Sequence, residues 1–475
     1  MESILSRRKQ EQEQVLGYLS GGVMAIKKQF LTTRYGGYFA EQVPEDPELT
    51  HVEKGSECGE LLRRYWQPVA LSSEVSELPK VVRMFGEDLV LFRTTEGEVG
   101  LVEKHCSHRG SSLEFGICTP RGIRCCYHGW EFGVDGAVLE TPGDPPESTL
   151  KNRLCHPAYP VKEFQGLVFG YFGPPDAMPP FPTYDSYDFP GDRLVPYCLT
   201  YPCNWLQVHE NVMDPVHAVF LHTRMTFSHF ADAWGELPVL DFRETPLGMI
   251  YITTRRWKDK IWVRSNDIVL PNLAQIGHIW EEGQDERAFA RVAITRWTTP
   301  VDNTTCKIIG WRHMHPDVDP RGMADESKIG VESVDFFGQG AGRDYEDRQR
   351  LPGDFDAQVS QRPIAVHAQE HLTACDKGVG MLRRLLRMQI ERMKTDSSYP
   401  PVAEREHDHA PTYCHDTVVS VPAIDGRDDR ELLTHVGRTI TDIVLEQGYR
   451  SDAERREGIR RKVDEFVKGL ALENA

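Results

Sequence analysis

Hydrophobic positions change their spacing along this chain, and the changes mark its elements. Over residues 57–66 the apolar groups Cys58, Leu61, Leu62 and Tyr65 share one helical face. The pattern then turns strand-like, with runs at 81–85 and 89–92 and turns at Gly86-Glu87-Asp88 and Glu96-Gly97. Two further strand-like pieces, 161–164 and 167–172, lead into a proline-rich segment at 173–182 that reads as the principal domain boundary. Beyond it, Leu206, Val208, Val212, Met213, Val216, Val219, Phe220 and Leu221 are too dense for a surface helix, so 203–222 predicts a buried one. Strand patterns recur at 249–254, 261–263, 268–279, 288–298 and 306–311, and an antiparallel meander is the simplest topology for them. Within that stretch Pro271, Asn272, Gln275 and Trp297 face either a pocket or the core.

A loop rich in glycine and aspartate, 318–350, separates these strands from helical patterns at 376–394 and 430–470. Val379, Leu382, Leu385, Leu386, Met388 and Met393 predict packing, and the charge-rich tail after Arg450 predicts a solvated helix face. Residues 1–53 read as an N-terminal extension, either a short Glu/Gln-rich helix or a disordered tail.

Composition narrows the function classes. A chain of 475 residues has room for two or more domains, and 40 % hydrophobic with 27 % charged residues is ordinary for a globular protein. The net charge of -17 disfavours nucleic acid and anionic membranes as partners. Eleven cysteines without regular spacing fit a reducing compartment better than a disulfide framework. No apolar run is long enough to span a bilayer, and the modestly apolar piece 15–26 is broken by Gly17, Gly21 and Gly22, so the cytoplasm is expected.

Candidate chemistry lies in two places. Cys106 with His108 and Cys125 with His128 form two short ligand pairs separated by 16 residues. Two thiolates and two imidazoles bind zinc or divide between the irons of a [2Fe-2S] cluster. Structural zinc sites usually take like ligands from one knuckle, whereas each loop here offers one Cys and one His. That arrangement suits a cluster with both cysteines on one iron and both histidines on the other; a zinc scaffold would be colourless and free of iron.

The second place is the buried segment. Asp214, His217 and His222 would be expensive to bury unless they pair or bind a metal, whereas His209 reads as a satisfied core histidine. Asp214 and His217 are three apart and share a helix face. His217 and His222 are five apart, which splays them by about 140° in a straight α-helix. A helix end or a π-type turn is therefore predicted between them.

The string Cys-x-His, then Cys-x-Tyr-His-Gly-Trp, resembles the Rieske cluster motif of bacterial Rieske non-haem iron oxygenases. Asp-x-x-His-x-x-x-x-His resembles the mononuclear iron motif of the same enzymes. The resemblance implies an α+β fold, an N-terminal all-β Rieske domain at 54–176 followed by a helix-grip catalytic domain at 177–475, in which an antiparallel sheet curves around the iron helices. It implies a [2Fe-2S] cluster on Cys106, His108, Cys125 and His128, with Cys126 left out. Respiratory Rieske proteins carry an extra, disulfide-bonded cysteine in each loop; Ser111 and Tyr127 stand there in this chain.

For the mononuclear Fe(II), the resemblance implies His217, His222 and a third, anionic ligand. In the branch resembling phthalate and dicamba oxygenases that aspartate lies nine residues before a proline, which selects Asp354 before Pro363, with Asp356 as the alternative. Asp376 lies in a segment similar to that branch but is not the ligand there. Asp214 is expected to accept the ring N–H of His217 and to receive His128 from an adjacent subunit, in a head-to-tail ring that is commonly a trimer. No flavin or nicotinamide fingerprint is evident, so a ferredoxin or NAD(P)H-dependent reductase is the expected electron donor. The implied reaction uses O2 to hydroxylate or O-demethylate a small aromatic substrate, such as a methoxylated lignin-type compound; ring cis-dihydroxylation is the alternative. An electron-transfer Rieske protein is the alternative of another class, and it would have no use for His217, His222 and a convergent aspartate.

Overall fold

Short apolar runs broken by tight turns fold, over residues 67–170, into three small antiparallel sheets. The computed structural model describes residues 34–225, 229–280, 286–315, 324–396, 399, 409–448 and 450–473. The expected start of the N-terminal extension, 1–33, lies outside them. One four-stranded sheet joins Lys80–Met84, Glu87–Arg93, Val99–Glu103 and Ala158–Tyr159, which realises the predicted hairpin with Val82 opposite Leu89. A second joins Ile117–Cys118, Gly122–Arg124, Glu131–Gly133 and Val138–Glu140. The third pairs Leu167–Gly170 with Gln67–Leu71 and Val161–Phe164.

The predicted meander is the centre of a nine-stranded sheet. Its main path runs Arg193–Tyr201, Thr305–Met314, Val292–Asp302, Leu273–Gly277, Lys260–Val269, Gly248–Trp257, Val239–Thr245, with every neighbour antiparallel. Asp416–Ser420, from near the C-terminus, pairs with Lys260–Val269 and with Arg287–Ala290. The run expected at 268–279 is divided: one strand ends at Val269 and the next starts at Leu273, because Pro271 between them has no N–H for the ladder.

The residues left open between pocket and core belong to the core. Trp297 is 4 % exposed and meets Phe169 and Trp311 edge-on at 5.3 and 5.4 Å. Asn272 donates to Gln67 Oε1 at 2.7 Å, and Gln275 donates to the Ser186 hydroxyl. Leu71, Leu167 and Phe169 share this cluster with Leu273, Ile309 and Trp311, so burial on both sides locks the three-stranded sheet to the large one.

The helix Lys377–Thr395 buries Val379, Leu382, Leu385 and Leu386 with Met393 packed alongside, whereas Met388 is exposed. The single pattern at 430–470 is two helices, Asp429–Glu446 and Asp452–Glu473. The tail is not merely solvated: Ile459, Val463 and Leu470 are buried against Ile440 and Val444, and Arg455 reaches Asp185 at 2.6 Å. Its apolar stripe recurs every four to seven residues and is diluted by so many charges that composition hides it. Residues 34–46 with 365–371 form a unit of their own, in which Gln369 Nε2 donates to the Glu41 carbonyl at 3.2 Å. Among the described residues no helix is long and apolar enough to cross a membrane.

Candidate active site

The first ligand set is built by two loops of the same design. In each, the cysteine N–H donates to a carbonyl five residues on, Cys106 to Ser111 at 2.9 Å and Cys125 to Trp130 at 2.8 Å. In each, a glycine four residues after the cysteine donates back to it, Gly110 at 2.8 Å and Gly129 at 3.1 Å. Both glycines have φ of +74°, a left-handed conformation that closes the turn and that a side chain would strain. The result is two matching fingertips. Cys106 and Cys125 are buried at 3 % exposure each, while His108 is exposed and His128 half-buried, with their ring centroids 4.5 Å apart. His108 stacks on Trp130 at 4.7 Å with the planes 1° apart.

That layering fits a [2Fe-2S] cluster, with sulfur ligands inside and imidazoles at the surface where electrons enter and leave. Burial pushes the Cys106 thiol up to about 11; the His108 N–H pulls it back and Cys125 beside it pushes the same way as burial. A sulfur raised in this way becomes a thiolate only with a metal charge to compensate it. Cys126, next in the chain, is exposed.

The second ligand set comes from the segment predicted as one buried helix, which is three pieces. Asn204 caps the helix Trp205–Glu210 by accepting from the Leu206 N–H at 3.1 Å, and all six of its residues are buried. Pro215 disfavours helical backbone at the residue before it, and Asp214 breaks the helix with φ −107° and ψ 89°. The chain restarts as His217–Val219 and passes directly into a π-helical turn, Phe220–Arg224, where the Met225 N–H reaches back to the Phe220 carbonyl at 3.0 Å. This is the predicted π-type turn. Its extra residue brings His217 and His222 to one side, ring centroids 5.4 Å apart.

Asp354 opens the helix Asp354–Val359 and meets both histidines: Oδ1 lies 3.5 Å from His217 Nε2, and Oδ2 lies 3.3 Å from His222 Nε2. Gln339 fixes this carboxylate by donating to Oδ2 at 2.5 Å. The contact needs Gly338 and Gly353 back to back, since a Cβ on Gly353 would lie 2.3 Å from the Gly338 Cα. Asp356 is engaged elsewhere, paired with Arg343 and Arg348 and accepting from the Gly353 N–H at 2.9 Å. Asp376 is used locally, accepting from the Thr373 N–H at 2.6 Å.

The donor set fits a cation. Asp354 Oδ1 is buried without a hydrogen bond, and the three ligand atoms lie within 4.8 Å of one another. Burial alone would raise the Asp354 carboxyl, but the His222 and His217 rings and the Gln339 amide outweigh it and hold the group well below the usual carboxylate range. Each histidine offers Nε2 and anchors Nδ1: His217 Nδ1 donates to the main-chain oxygen of Asp214, and His222 Nδ1 lies 3.1 Å from His229 Nδ1. Two imidazoles and a carboxylate with room beside them form the face used by non-haem iron.

The Asp214 carboxylate departs from expectation. It does not take the His217 ring proton, which its own carbonyl accepts, and Oδ2 stands 3.7 Å from that nitrogen. Instead Oδ1 accepts the Val216 and His217 N–H groups at 3.1 and 3.3 Å, capping the short helix. His209 is a core histidine as expected, 3.3 Å from Thr298 Oγ1 and held neutral by burial and then by the Arg296 charge, its pKa near 3.

A cavity of about 270 Å³ adjoins His217, His222 and Asp354. Val212, Phe230, Trp234, Ile276 and Ile294 make its apolar wall, and Asn266 and Arg296 are among its polar groups. Sequence reasoning missed His229, Gln339 and Asn211, whose amide nitrogen lies 3.3 Å from His217 Nε2. Gln339 sits in a glycine-rich loop with no motif to mark it, and only the fold brings it to Asp354.

Comparison with known proteins supplies the family. The model for the Rieske [2Fe-2S] domain matches residues 65–164. The chain is 39 % identical over 459 residues to the tert-butanol monooxygenase / tert-amyl alcohol desaturase oxygenase subunit of Aquincola tertiaricarbonis, covering 92 % of this chain and 97 % of that one. It is 37 % identical to the phenoxybenzoate dioxygenase subunit alpha of Ectopseudomonas oleovorans, over 75 % of this chain and 88 % of the other. The crystal structure of dicamba monooxygenase bound to dicamba shares the fold, with a TM-score of 0.54 at 19 % identity over 70 % of this chain and 98 % of that one. With the first of these matches covering nearly the whole chain and the Rieske domain model covering both cluster loops, this chain belongs to the Rieske non-haem iron oxygenases, as an oxygenase (alpha) subunit with a [2Fe-2S] cluster and a mononuclear iron.

Proposed function

We propose that Cys106, Cys125, His108 and His128 hold the cluster, that His217, His222 and Asp354 hold the iron, and that the adjoining cavity takes a small aromatic substrate for hydroxylation or O-demethylation. The observation that carries this reading is the convergence of two imidazoles and a buried carboxylate, one oxygen of which has no hydrogen bond, beside an apolar-walled cavity. A pure electron carrier would have no use for it. Residues 54–176 are read as the cluster domain and 177–475 as the catalytic domain, with 1–53 as an extension. When bound, the iron activates dioxygen with electrons relayed from the cluster.

The chain's own residues position these events. Gln339 holds the ionised Asp354 carboxylate by donating to Oδ2, and the Asp214 carbonyl and His229 fix which ring nitrogens face the iron. Asp214 Oδ2 is left for another donor, with its side chain 33 % exposed. We assign that donor as His128 of an adjacent subunit in a trimeric ring, fed by a ferredoxin or NAD(P)H-dependent reductase in the cytoplasm. Aromatic selection is supported by the Phe230 and Trp234 wall and by the phenoxybenzoate relative, whose named substrate is an aryl ether. A compact tertiary alcohol is the second reading, favoured by the length of the match to the tert-butanol enzyme.

Turnover under labelled dioxygen tests the reaction. One labelled oxygen in a phenolic product indicates ring hydroxylation, an unlabelled phenol released together with formaldehyde indicates O-demethylation, because the dioxygen atom enters the methyl group and leaves with it, and two labelled oxygens on adjacent ring carbons indicate dihydroxylation. Neither labelled product nor released formaldehyde from any aromatic tried would remove the aromatic reading. Asp214→Asn keeps the capping oxygen but loses the charge, and should slow turnover about 10- to 100-fold with iron and cluster content unchanged. The check is single turnover of pre-reduced enzyme; an unaltered rate would leave Asp214 as a helix cap alone.

A further inference from the structure

Three arginines border the cavity, Arg264, Arg296 and Arg312, and two are fully engaged. Arg264 donates to the His278 carbonyl at 3.0 Å, the Gly277 carbonyl at 2.8 Å and the Tyr251 hydroxyl at 2.6 Å, and lies over the Trp234 ring at 4.7 Å. Arg312 pairs with Asp335 at 3.2 Å and donates to the Ala293 carbonyl at 3.1 Å. Arg296 is different. It is 5 % exposed, yet among the described residues it has no ion pair, no hydrogen bond to a carboxylate or carbonyl, and no ring beneath it. Its Nε is buried without a partner, and the polar group beside it is the neutral Tyr197 phenol.

A guanidinium buried this deeply without a counter-charge is strongly unfavourable in the empty protein. The fold nevertheless makes space for it. On the sheet, Arg296 stands opposite Ala274 on one side and Gly310 on the other, so no side chain larger than a methyl competes for that row. Its neighbour two residues back, Ile294, faces the same cavity. A charge kept here without a protein partner is a charge awaiting a ligand.

We propose that Arg296 is the anchor for the carboxylate of the substrate, so that the molecule accepted in this cavity is an organic acid. The inference rests on the reading that the cavity beside His217, His222 and Asp354 is the substrate site. Arginine suits the role because its planar fork matches a carboxylate with two parallel hydrogen bonds, and because it stays charged when buried. Held at that end, an aromatic acid lays its ring along the apolar wall and turns its far substituent away from the anchor. A neutral tertiary alcohol offers the same anchor a single hydroxyl acceptor and no counter-charge.

The test is anaerobic calorimetry on the holoenzyme with benzoate and 4-methoxybenzoate against benzamide and 4-methoxybenzamide, which match them in shape but carry no charge. The wild type should bind each acid on the order of 10- to 100-fold more tightly than its amide, the range of a charge-assisted hydrogen bond. Arg296→Gln should bring that ratio close to one with amide affinity unchanged, and Arg296→Lys should keep part of it. A wild type that binds neither acid, or binds the amides as well, overturns the proposal; so does R296Q with an intact cluster spectrum and an undiminished preference. Should R296Q not fold, the wild-type ratio decides. Binding of acids through Arg296 with neither labelled product nor released formaldehyde would sink the oxygenation of aromatics and leave this anchor standing. Labelled product from a neutral tertiary alcohol, with R296Q unimpaired, would do the reverse.

Discussion

Asp354→Ala should abolish turnover while leaving the absorption and paramagnetic spectra of the cluster intact. Asp354 supplies the only anionic donor in the His217, His222, Asp354 group, and its Oδ1 is buried with no hydrogen bond to lose. Removing it leaves two neutral imidazoles, each still anchored through Nδ1 but without charge to retain a dication. Mutating groups that merely support a ligand typically costs 10- to 100-fold in metal affinity or activity, so loss of the ligand itself should exceed about 100-fold. The cluster loops lie in a different sheet, so their spectrum is the internal control. Iron analysis should show the mononuclear equivalent missing and the cluster equivalents present. Asp356→Ala is the matched comparison. It breaks the pairs to Arg343 and Arg348 and should weaken folding without removing the mononuclear iron. Full activity in Asp354→Ala would transfer the ligand role to another group.

Cys125→Ser should lose the cluster altogether. Cys125 is 3 % exposed and packs in one core cluster with Cys106, Leu113, Ile123 and Trp130, so its sulfur has no solvent to turn to and no space to be replaced by a neighbour. Serine is smaller, far less acidic and a poor ligand for iron–sulfur clusters. The brown colour, the reduced-state paramagnetic signal and the acid-labile sulfide should all fall to background, and turnover should disappear because electrons have no route to the iron. Because holding a metal centre is also holding a fold, the melting temperature should fall as well. Cys126→Ser, one residue away on an exposed side chain, should leave every one of those readings unchanged. If the two variants behave alike, the ligand register is off by one.

The local parts of this site are legible in the sequence because their geometry is local. A Cys-x-His or Cys-x-Tyr-His loop closes within six residues, and the Asp-x-x-His-x-x-x-x-His spacing is enough to require a break in the α-helix, which Pro215 and the Phe220–Arg224 turn supply. The buried tail stripe at Ile459, Val463 and Leu470 was harder to see, because charge content describes all faces of a helix together while packing uses one. The assignment of the Asp214 carboxylate failed for a related reason. Spacing places it near His217 but does not say that its own carbonyl will reach the ring first.

What the amino-acid order alone determined was the inventory of donors and the two loops and one turn that present them, since contacts spanning a few residues follow from backbone geometry. What only the tertiary structure decided was which distant groups join them. Asp354 and Asp356 lie about 200° apart around one short helix, so just one of them can face the histidines. The choice is made by the Gly338–Gly353 contact and by Arg343 and Arg348 holding Asp356 on the opposite side. Likewise, nothing in the string of residues distinguishes Arg296 from the other arginines. Its isolation exists only after the sheet has given Arg264 and Arg312 their partners and withheld one from it.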